Sequence, residues 1–253
     1  MSKISLAIPC HDRGENGPLW LDELFQSIKS QTFQDIDIVI SDQSENDLIL
    51  DKCKEWNDHF EFTYVRYEGS TPCDNINTAL ENCTGDITKI IFSDDVFTTN
   101  IALDTINQVL ENFDNDWLFT GYCETDDGKN FYSLKRPKWV KETLIGRNLL
   151  SSPSGVAFKT ECGVKFDPNL KLLLDVDFYH NMRIKNGLPA LVPEVFYANR
   201  NHTNRVSSQS TSQYDCTIQH PEGNWMMNHS EYEYITEKYK EFFANDMRYP
   251  DEN

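Results

Sequence analysis

Three short polar clusters stand where apolar runs stop: Pro9-Cys10-His11-Asp12-Arg13, Ser41-Asp42-Gln43-Ser44 and Ser93-Asp94-Asp95. Each follows an aliphatic, β-branched stretch that reads as a strand. In open α/β sheets ligands gather at the carboxyl ends of the strands, so the three clusters would share one rim. Singly, each has the composition of a turn or helix cap, where Ser and Asp satisfy free backbone N–H groups. Three on one rim exceed what capping a core requires. The adjacent Asp94 and Asp95 carry hard oxygens of the kind Mg²⁺ or Mn²⁺ takes. Side chains alternate along an extended segment, so one carboxylate can meet an ion while its neighbour turns elsewhere. The competing reading is a solvated acidic turn capping a helix that starts near Asn100.

A second pair, Asp175 and Asp177, opens a helix-like stretch. Two residues along a helix is a rotation of about 200°, so both cannot face one pocket. The simplest resolution makes Asp175 the N-cap and sends Asp177, in the first turn, into the site. His202 is a candidate for a further metal or diphosphate contact, since neutral imidazole is a competent ligand. A loop histidine can equally be just solvated.

The elements that must hold these residues are legible from periodicity. Ile4 to Ile8, Ile36 to Ile40, Phe62 to Val65, Ile87 to Phe92 and Trp117 to Thr120 read as strands. Between them, Leu21/Leu24/Phe25/Ile28, residues 48–56, Ile76/Ala79/Leu80 and Leu103/Ile106/Leu110/Phe113 follow a helical period, and Gly85 is placed to stop the third helix. That alternation means βαβ units and a mainly parallel twisted sheet. From about residue 121 it breaks. Asp126-Asp127-Gly128-Lys129 reads as a turn between short strands, Val156 to Phe158 and Leu191 to Tyr197 as strands, and residues 175–185 as a helix stopped at Gly187. Residues 201–224 are polar and read as a long loop, a mobile lid that would bring His202 and Arg205 to a diphosphate. Tyr232, Ile235, Tyr239 and Phe242 give a closing helix, and Trp225, Met226 and Met227 read as packing. We expect one α/β unit with a C-terminal extension.

Composition narrows the function. The chain has 253 residues, 41 acidic against 23 basic, for a net charge of −18. So acidic a surface disfavours sequence-independent nucleic-acid binding and docking on anionic lipid. No apolar run approaches the roughly 20 residues of a membrane span. The first residues run into a core strand instead of a leader, and seven scattered cysteines form no CxxC pair. Both fit reduced thiols and a cytoplasmic location.

The same residues carry a resemblance. Ile4 to Arg13 resembles the opening strand and turn of family 2 glycosyltransferases with the nucleotide-diphospho-sugar (GT-A) fold. Leu24 to Phe33, then Ile36 to Ser44, is similar to that family's first helix and second strand. Ile90 to Asp95 resembles its DXD-type metal motif. Pro153 to Lys159 and Phe166 to Leu170 are similar to the acceptor-side strand and turn. Leu174 to Tyr179, with Arg183, looks like the catalytic-carboxylate helix, and Arg200-Asn201-His202 matches the arginine–x–histidine that follows. The likeness runs in unbroken order over about residues 3–207.

What it implies is a GT-A three-layer sandwich over residues 1–207, a nucleotide-binding half (1–95) and an acceptor half (96–207), with 208–253 as loop and helix packed on it. It also implies a metal-dependent, inverting transfer of a sugar from a nucleotide diphosphate, UDP first, to a glycan or other acceptor hydroxyl. In that picture Asp95 and His202 bind Mn²⁺ or Mg²⁺, and Asp94 touches sugar or ribose. Asp42 accepts from base or ribose, Pro9 and His11 flank the base, and Ser44, Arg13 and Asn75 complete the donor site. Alignment through Arg183 selects Asp177 as general base. One departure is Asp74, where the family often has a basic residue before the asparagine, so donor contact falls to Arg13 or Arg205. A nucleotidyltransferase would want a glycine-rich basic loop after the first strand, and residues 10–18 hold only Gly14, Gly17 and one Arg. A non-catalytic sugar or nucleotide binder of the same fold is the other alternative; retention of Asp42, Asp95 and Asp177 speaks against it.

Overall fold

The computed structural model describes residues 2–14, 16–203, 216–218 and 225–252. The first half is β1 (Ile4–Cys10), α1 (Gly17–Lys29), β2 (Ile36–Asp42), α2 (Leu48–Glu55), β3 (Phe62–Arg66), α3 (Pro72–Glu81) and β4 (Ile87–Ile90). Strands β3, β2, β1 and β4 lie side by side and parallel, so their carboxyl ends point the same way. There follow β5 (Val96–Phe97), α4 (Ala102–Asn112), β6 (Trp117–Thr125), β7 (Tyr132–Lys135), β8 (Val156–Lys159), α5 (Leu174–Asn186) and β9 (Ala190–Arg200). The sheet runs β3-β2-β1-β4-β8-β6-β9-β5, with β7 paired to β6.

The expected α/β class and helix–sheet–helix layering are present. Strand β8, expected at Val156 to Phe158, inserts antiparallel between β4 and β6, a placement that periodicity did not foresee. That insertion brings the segment before β8 to the end of β4, where Asp94 and Asp95 stand.

Burial explains the alternation. On α1, Leu21, Leu24, Phe25 and Ile28 have no exposed surface and pack with Ile4, Leu6 and Ile8 of β1 and with Leu103, Ile106 and Leu110 of α4. Each such side chain is worth about 1.5–3 kcal/mol once out of water. The other face is aromatic: Trp117, Phe119, Phe158, Phe166, Phe178 and Tyr179 cover β4, β6 and β8. Gly85 does not stop a helix, since α3 already ends at Asn82. A Cβ there would lie 2.6 Å from Lys3 O and 2.8 Å from Ser5 N, so the glycine lets the chain approach β1. Gly187 does terminate α5, at φ +73°, with its N–H donating to Arg183 O.

The extension contains β10 (Cys216–Ile218) paired antiparallel with β11 (Trp225–Met227), then α6 (His229–Lys238) and α7 (Lys240–Ala244). The closing helix thus breaks at Tyr239. Ile235, Phe242 and Tyr249 pack against Leu144, Ile145, Leu170, Leu173 and Val176, closing a third apolar cluster over α5. Among the described residues no helix is long and apolar enough to cross a membrane.

Candidate active site

The β1, β2 and β3 ends form one hydrogen-bonded floor. Asp42 is fully buried. Its Oδ1 accepts from Ser44 N (2.9 Å) and Ser44 Oγ (2.5 Å), and its Oδ2 accepts from Tyr64 OH (2.6 Å) with Arg66 Nη1 at 3.3 Å. Arg66 also donates to Ser44 O and Asn46 O, both at 2.6 Å, tying down the turn after β2. Tyr64 and Arg66 were missed in the sequence, although they stand at the carboxyl end of β3, the position that picks out Asp42 on β2. Asn75 spans the gap between strands: its Oδ1 accepts from Ser41 Oγ (2.6 Å) and its Nδ2 donates to Cys10 O (3.1 Å). Its place is thus under the floor, holding β1 to β2. Pro9 is level with Ser41. His11 Nδ1 lies 2.8 Å from Asp12 Oδ1 and 3.1 Å from Arg13 N, while Asp12 Oδ2 accepts from Asn46 Nδ2 (2.6 Å). Arg13 has φ +49°, a left-handed conformation that costs a non-glycine residue about 1 kcal/mol or more. Asp74 stands in the first turn of α3, its N–H donating to the capping Thr71 Oγ1 (3.1 Å) and its Oδ2 accepting from that hydroxyl (2.6 Å).

The acidic turn after β4 rests on Arg200, at the end of β9. Arg200 Nε donates to Asp94 O (2.8 Å), its backbone N–H to Asp95 Oδ1 (3.1 Å), and Nη2 to Glu23 (2.5 Å). His202, two residues on, places Nε2 2.9 Å from Asp94 Oδ2, with its ring 4.4 Å from that of Trp20. Burial opposes ionisation of Asp94, yet the His202 contact and charge, aided by Arg13, hold its carboxyl below the usual range. Sequence reasoning joined His202 with Asp95; the structure pairs it with Asp94. An imidazole beside a carboxylate is a mixed nitrogen–oxygen set that fits a divalent ion of the Mn²⁺ or Mg²⁺ type. Among the described residues no three His, Cys, Asp or Glu side chains form a cage. Such ions need few protein ligands, because water and phosphate oxygens take the remaining positions. Arg205 and most of 201–224 lie outside the described residues, and the lid expectation with them.

From Tyr197 a polar chain leads to α5. Tyr197, fully buried on β9, has its hydroxyl against Ser151 Oγ. Ser151 O accepts from Tyr179 OH (2.9 Å) and Asn148 Nδ2 (2.9 Å), and the same Nδ2 donates to Asp175 Oδ2 (2.8 Å). Beneath this chain Lys89 donates to the carbonyls of Ile90, Ser154 and Val156, clamping the segment before β8 onto β4. Burial pushes its ammonium down to about 7, with Asp95 pulling the other way. Asp175 is half-buried; burial pushes its carboxyl up to about 6, against hydrogen bonds from Val176 N and Asn148.

Asp177 corrects an expectation. It does not project into an open site: it is fully buried. Its Oδ1 accepts from Lys238 Nζ (2.8 Å) and Tyr239 OH (2.6 Å), its Oδ2 from Asn181 Nδ2 (3.2 Å). Burial raises its pKa, and Lys238 and Tyr239 resist. Nor is Asp175 the N-cap; that residue is Leu173, and the loop amides of Lys171, Leu172 and Leu173 donate to Glu231 from α6 at 2.8–3.1 Å. The physical reason is distant in sequence. The C-terminal helices cover the α5 face that bears Asp177, His180 and Asn181, leaving the Asp175 face toward Asn148 and Ser151. Arg183 belongs to the covered side, paired with Asp251 at 2.8 Å through both nitrogens.

The sheet thus carries buried carboxylates at its parallel strand ends, an acidic turn braced by Arg200, and Asp175 on α5 held by Asn148. The family model of glycosyl transferase family 2 matches residues 5–173, and the chain belongs to that family. Its fold is similar to S. aureus TarS 1-349 in complex with UDP-GlcNAc (TM-score 0.65, 17% identity, 81% of this chain and 61% of that one). It is also similar to the mannosyltransferase PcManGT from Pyrobaculum calidifontis in complex with GDP-Man and Mn²⁺ (TM-score 0.56, 16% identity, 78% and 56%). The chain thus spans less than two thirds of either neighbour. No curated protein matches it.

Proposed function

We propose that the protein is a metal-dependent, inverting glycosyltransferase moving a sugar from a nucleotide-diphosphate donor, a UDP-sugar first, to an acceptor hydroxyl. The observation that carries this reading is a pair of separate carboxylate stations: the Asp94–Asp95 turn, with His202 on Asp94, and half-buried Asp175, held by Asn148. The neighbours, one with UDP-GlcNAc and one with GDP-Man and Mn²⁺, support it.

Asp94, Asp95 and His202 would hold the ion. When bound, it supplies positive charge against the diphosphate that leaves the sugar, which an acidic protein otherwise repels. Asp42, with Ser44, Tyr64 and Arg66, forms the nucleoside floor, and Pro9, His11 and Arg13 form its edge. Arg200 holds the acidic turn rigid from below. We assign the general base to Asp175 in place of Asp177. With its carboxyl near 6 it is ionised at neutral pH yet basic enough to take a hydroxyl proton. Asn148 orients it. Inversion is the outcome a positioned base supports, and Asp177, sealed, offers no nucleophile beside it.

A panel of UDP- and GDP-sugars incubated with enzyme, with Mn²⁺ or with EDTA, tests the reading without knowledge of the acceptor. Metal-dependent release of nucleoside diphosphate from one donor is expected. Absence of binding and release across the panel refutes it.

A further inference from the structure

Helix α6 treats the two carboxylates of α5 in opposite ways. Near its end it brings a cation, Lys238, whose Nζ lies 2.8 Å from Asp177 Oδ1. In its first turn it brings an anion, Glu231, to the loop from which α5 starts. Lys171 N (2.9 Å) and Leu172 N (3.1 Å) donate to Oε1, and Leu172 N (3.0 Å) and Leu173 N (2.8 Å) donate to Oε2. Three successive amides converge on one carboxylate, and Leu173 is the N-cap of α5, two residues before Asp175.

Glu231 is itself held in place. It is the third residue of α6, and its N–H donates to the capping Asn228 Oδ1 (3.0 Å). Asn228-x-x-Glu231 has the spacing of a capping box, in which the glutamate folds back on its own helix; here the carboxylate crosses to another. Tyr234 OH (2.8 Å) and Lys238 Nζ (2.6 Å) both donate to Asp167 Oδ2, and Ile235 packs with Leu170 and Leu173, so α6 is pinned along that loop. Glu231 is half-buried and makes no ion pair among the described residues. Satisfying loop amides needs an oxygen, not a charge, and Asn or Ser would do as well.

The charge has a second consequence, at Asp175. Asn148, from the segment before β8, donates to that carboxylate, and Arg147 beside it pairs with Glu142 (3.7 Å). Through space the Asp175 charge meets Tyr179 on α5 and Glu231 on α6. Burial first, then Glu231, push the Asp175 carboxyl up to about 6, against hydrogen bonds from Val176 N and Asn148. A helix N-terminus would by itself hold a carboxylate down.

We propose that Glu231 is the positioning residue of the general base: it fixes the entrance to α5, and with it the Asp175 side chain, and its like charge keeps that carboxylate basic. The role in turnover rests on the glycosyl-transfer reading with Asp175 as base; the coupling of the two carboxylates does not.

Two variants of the full chain separate charge from position. Glu231→Gln keeps the reach to the amides and removes the charge. The Asp175 carboxyl, followed by carbon-13 NMR and assigned by its loss in Asp175→Asn, should then titrate lower by about 0.5 pH unit or more, and the acid limb of kcat/KM should move down with it. Glu231→Asp keeps the charge but falls short of the amides. Its Asp175 midpoint should hold while kcat falls about tenfold or more, as for a base moved out of line. Affinity for UDP with Mn²⁺ should hold in both, because the donor site lies on other elements. A plain structural cap would lower Tm and leave the midpoint unmoved in Glu231→Gln, which overturns the proposal. So does a midpoint that rises there, or wild-type kcat in Glu231→Asp, the variant that decides alone if Glu231→Gln does not fold. If no donor is turned over, the midpoints still decide the coupling, and it is the glycosyl-transfer reading that fails.

Discussion

Asp177→Asn removes the charge that Lys238 and Tyr239 meet at 2.8 and 2.6 Å, while Asp175→Asn removes one that meets only Asn148 and a backbone amide. Breaking a buried ion pair costs about 3–5 kcal/mol when the partner is left stranded. Here Lys238 is 26% exposed and keeps Asp167 at 2.6 Å, and the amide can still accept from Tyr239, so about 1–3 kcal/mol is expected. In a chain of this size that is a fall in Tm of roughly 3–10 °C. Turnover should stay close to wild type. Asp175→Asn should do the reverse: turnover falls about 10²–10⁴-fold, the usual worth of a general base. Its Tm should hold or rise, because burial already penalises the ionised carboxylate. Nucleotide affinity should be unchanged in both, since the floor around Asp42 lies on other strands. Calorimetry, thermal melts and nucleotide release with acceptor read the three quantities. If Asp177→Asn loses turnover at unchanged Tm while Asp175→Asn keeps it, the base assignment is wrong and the sealing contacts open in solution.

Three further outcomes follow from the same contacts. Nucleoside-diphosphate binding should need Mn²⁺ or Mg²⁺ and weaken about tenfold or more in Asp95→Asn; equal calorimetric affinity in EDTA would remove the metal from the mechanism. The acid limb of kcat/KM should bend near pH 6, with activity lost below it as Asp175 gains a proton, and Asp175→Asn should abolish that limb. Burial, with Lys238 nearby, holds His180 down to about 4, while an unfolded histidine titrates near 6.5. The unfolded chain therefore binds more protons in that window. Stability contributed by neutral His180 is full above pH 6.5 and lost on falling to 4, about 3 kcal/mol in all. His180→Phe should flatten that part of the stability–pH curve measured by urea denaturation.

Local pattern sufficed for a good deal. Strand and helix periods depend on neighbours within a turn or two, so β1 through β4, α4, α5 and the family motifs were readable, and with them the strand-end rim that carries Asp42 and Asp94, while two-residue β5 is too short to show a period. Gly187, needed at positive φ, also declares itself locally. What pairs residues far apart did not. The antiparallel insertion of β8 beside β4 joins residues some 70 positions distant, and only that insertion lets Lys89 clamp Ser154 and brings Ser151 within reach of Tyr197. Helix geometry told that Asp175 and Asp177 face apart, but not which face meets solvent. Lys238 and Tyr239, about 60 residues later, made that choice, because a sealed carboxylate needs compensating donors and the C-terminal helices supply them to Asp177 alone, leaving Asp175 half-buried.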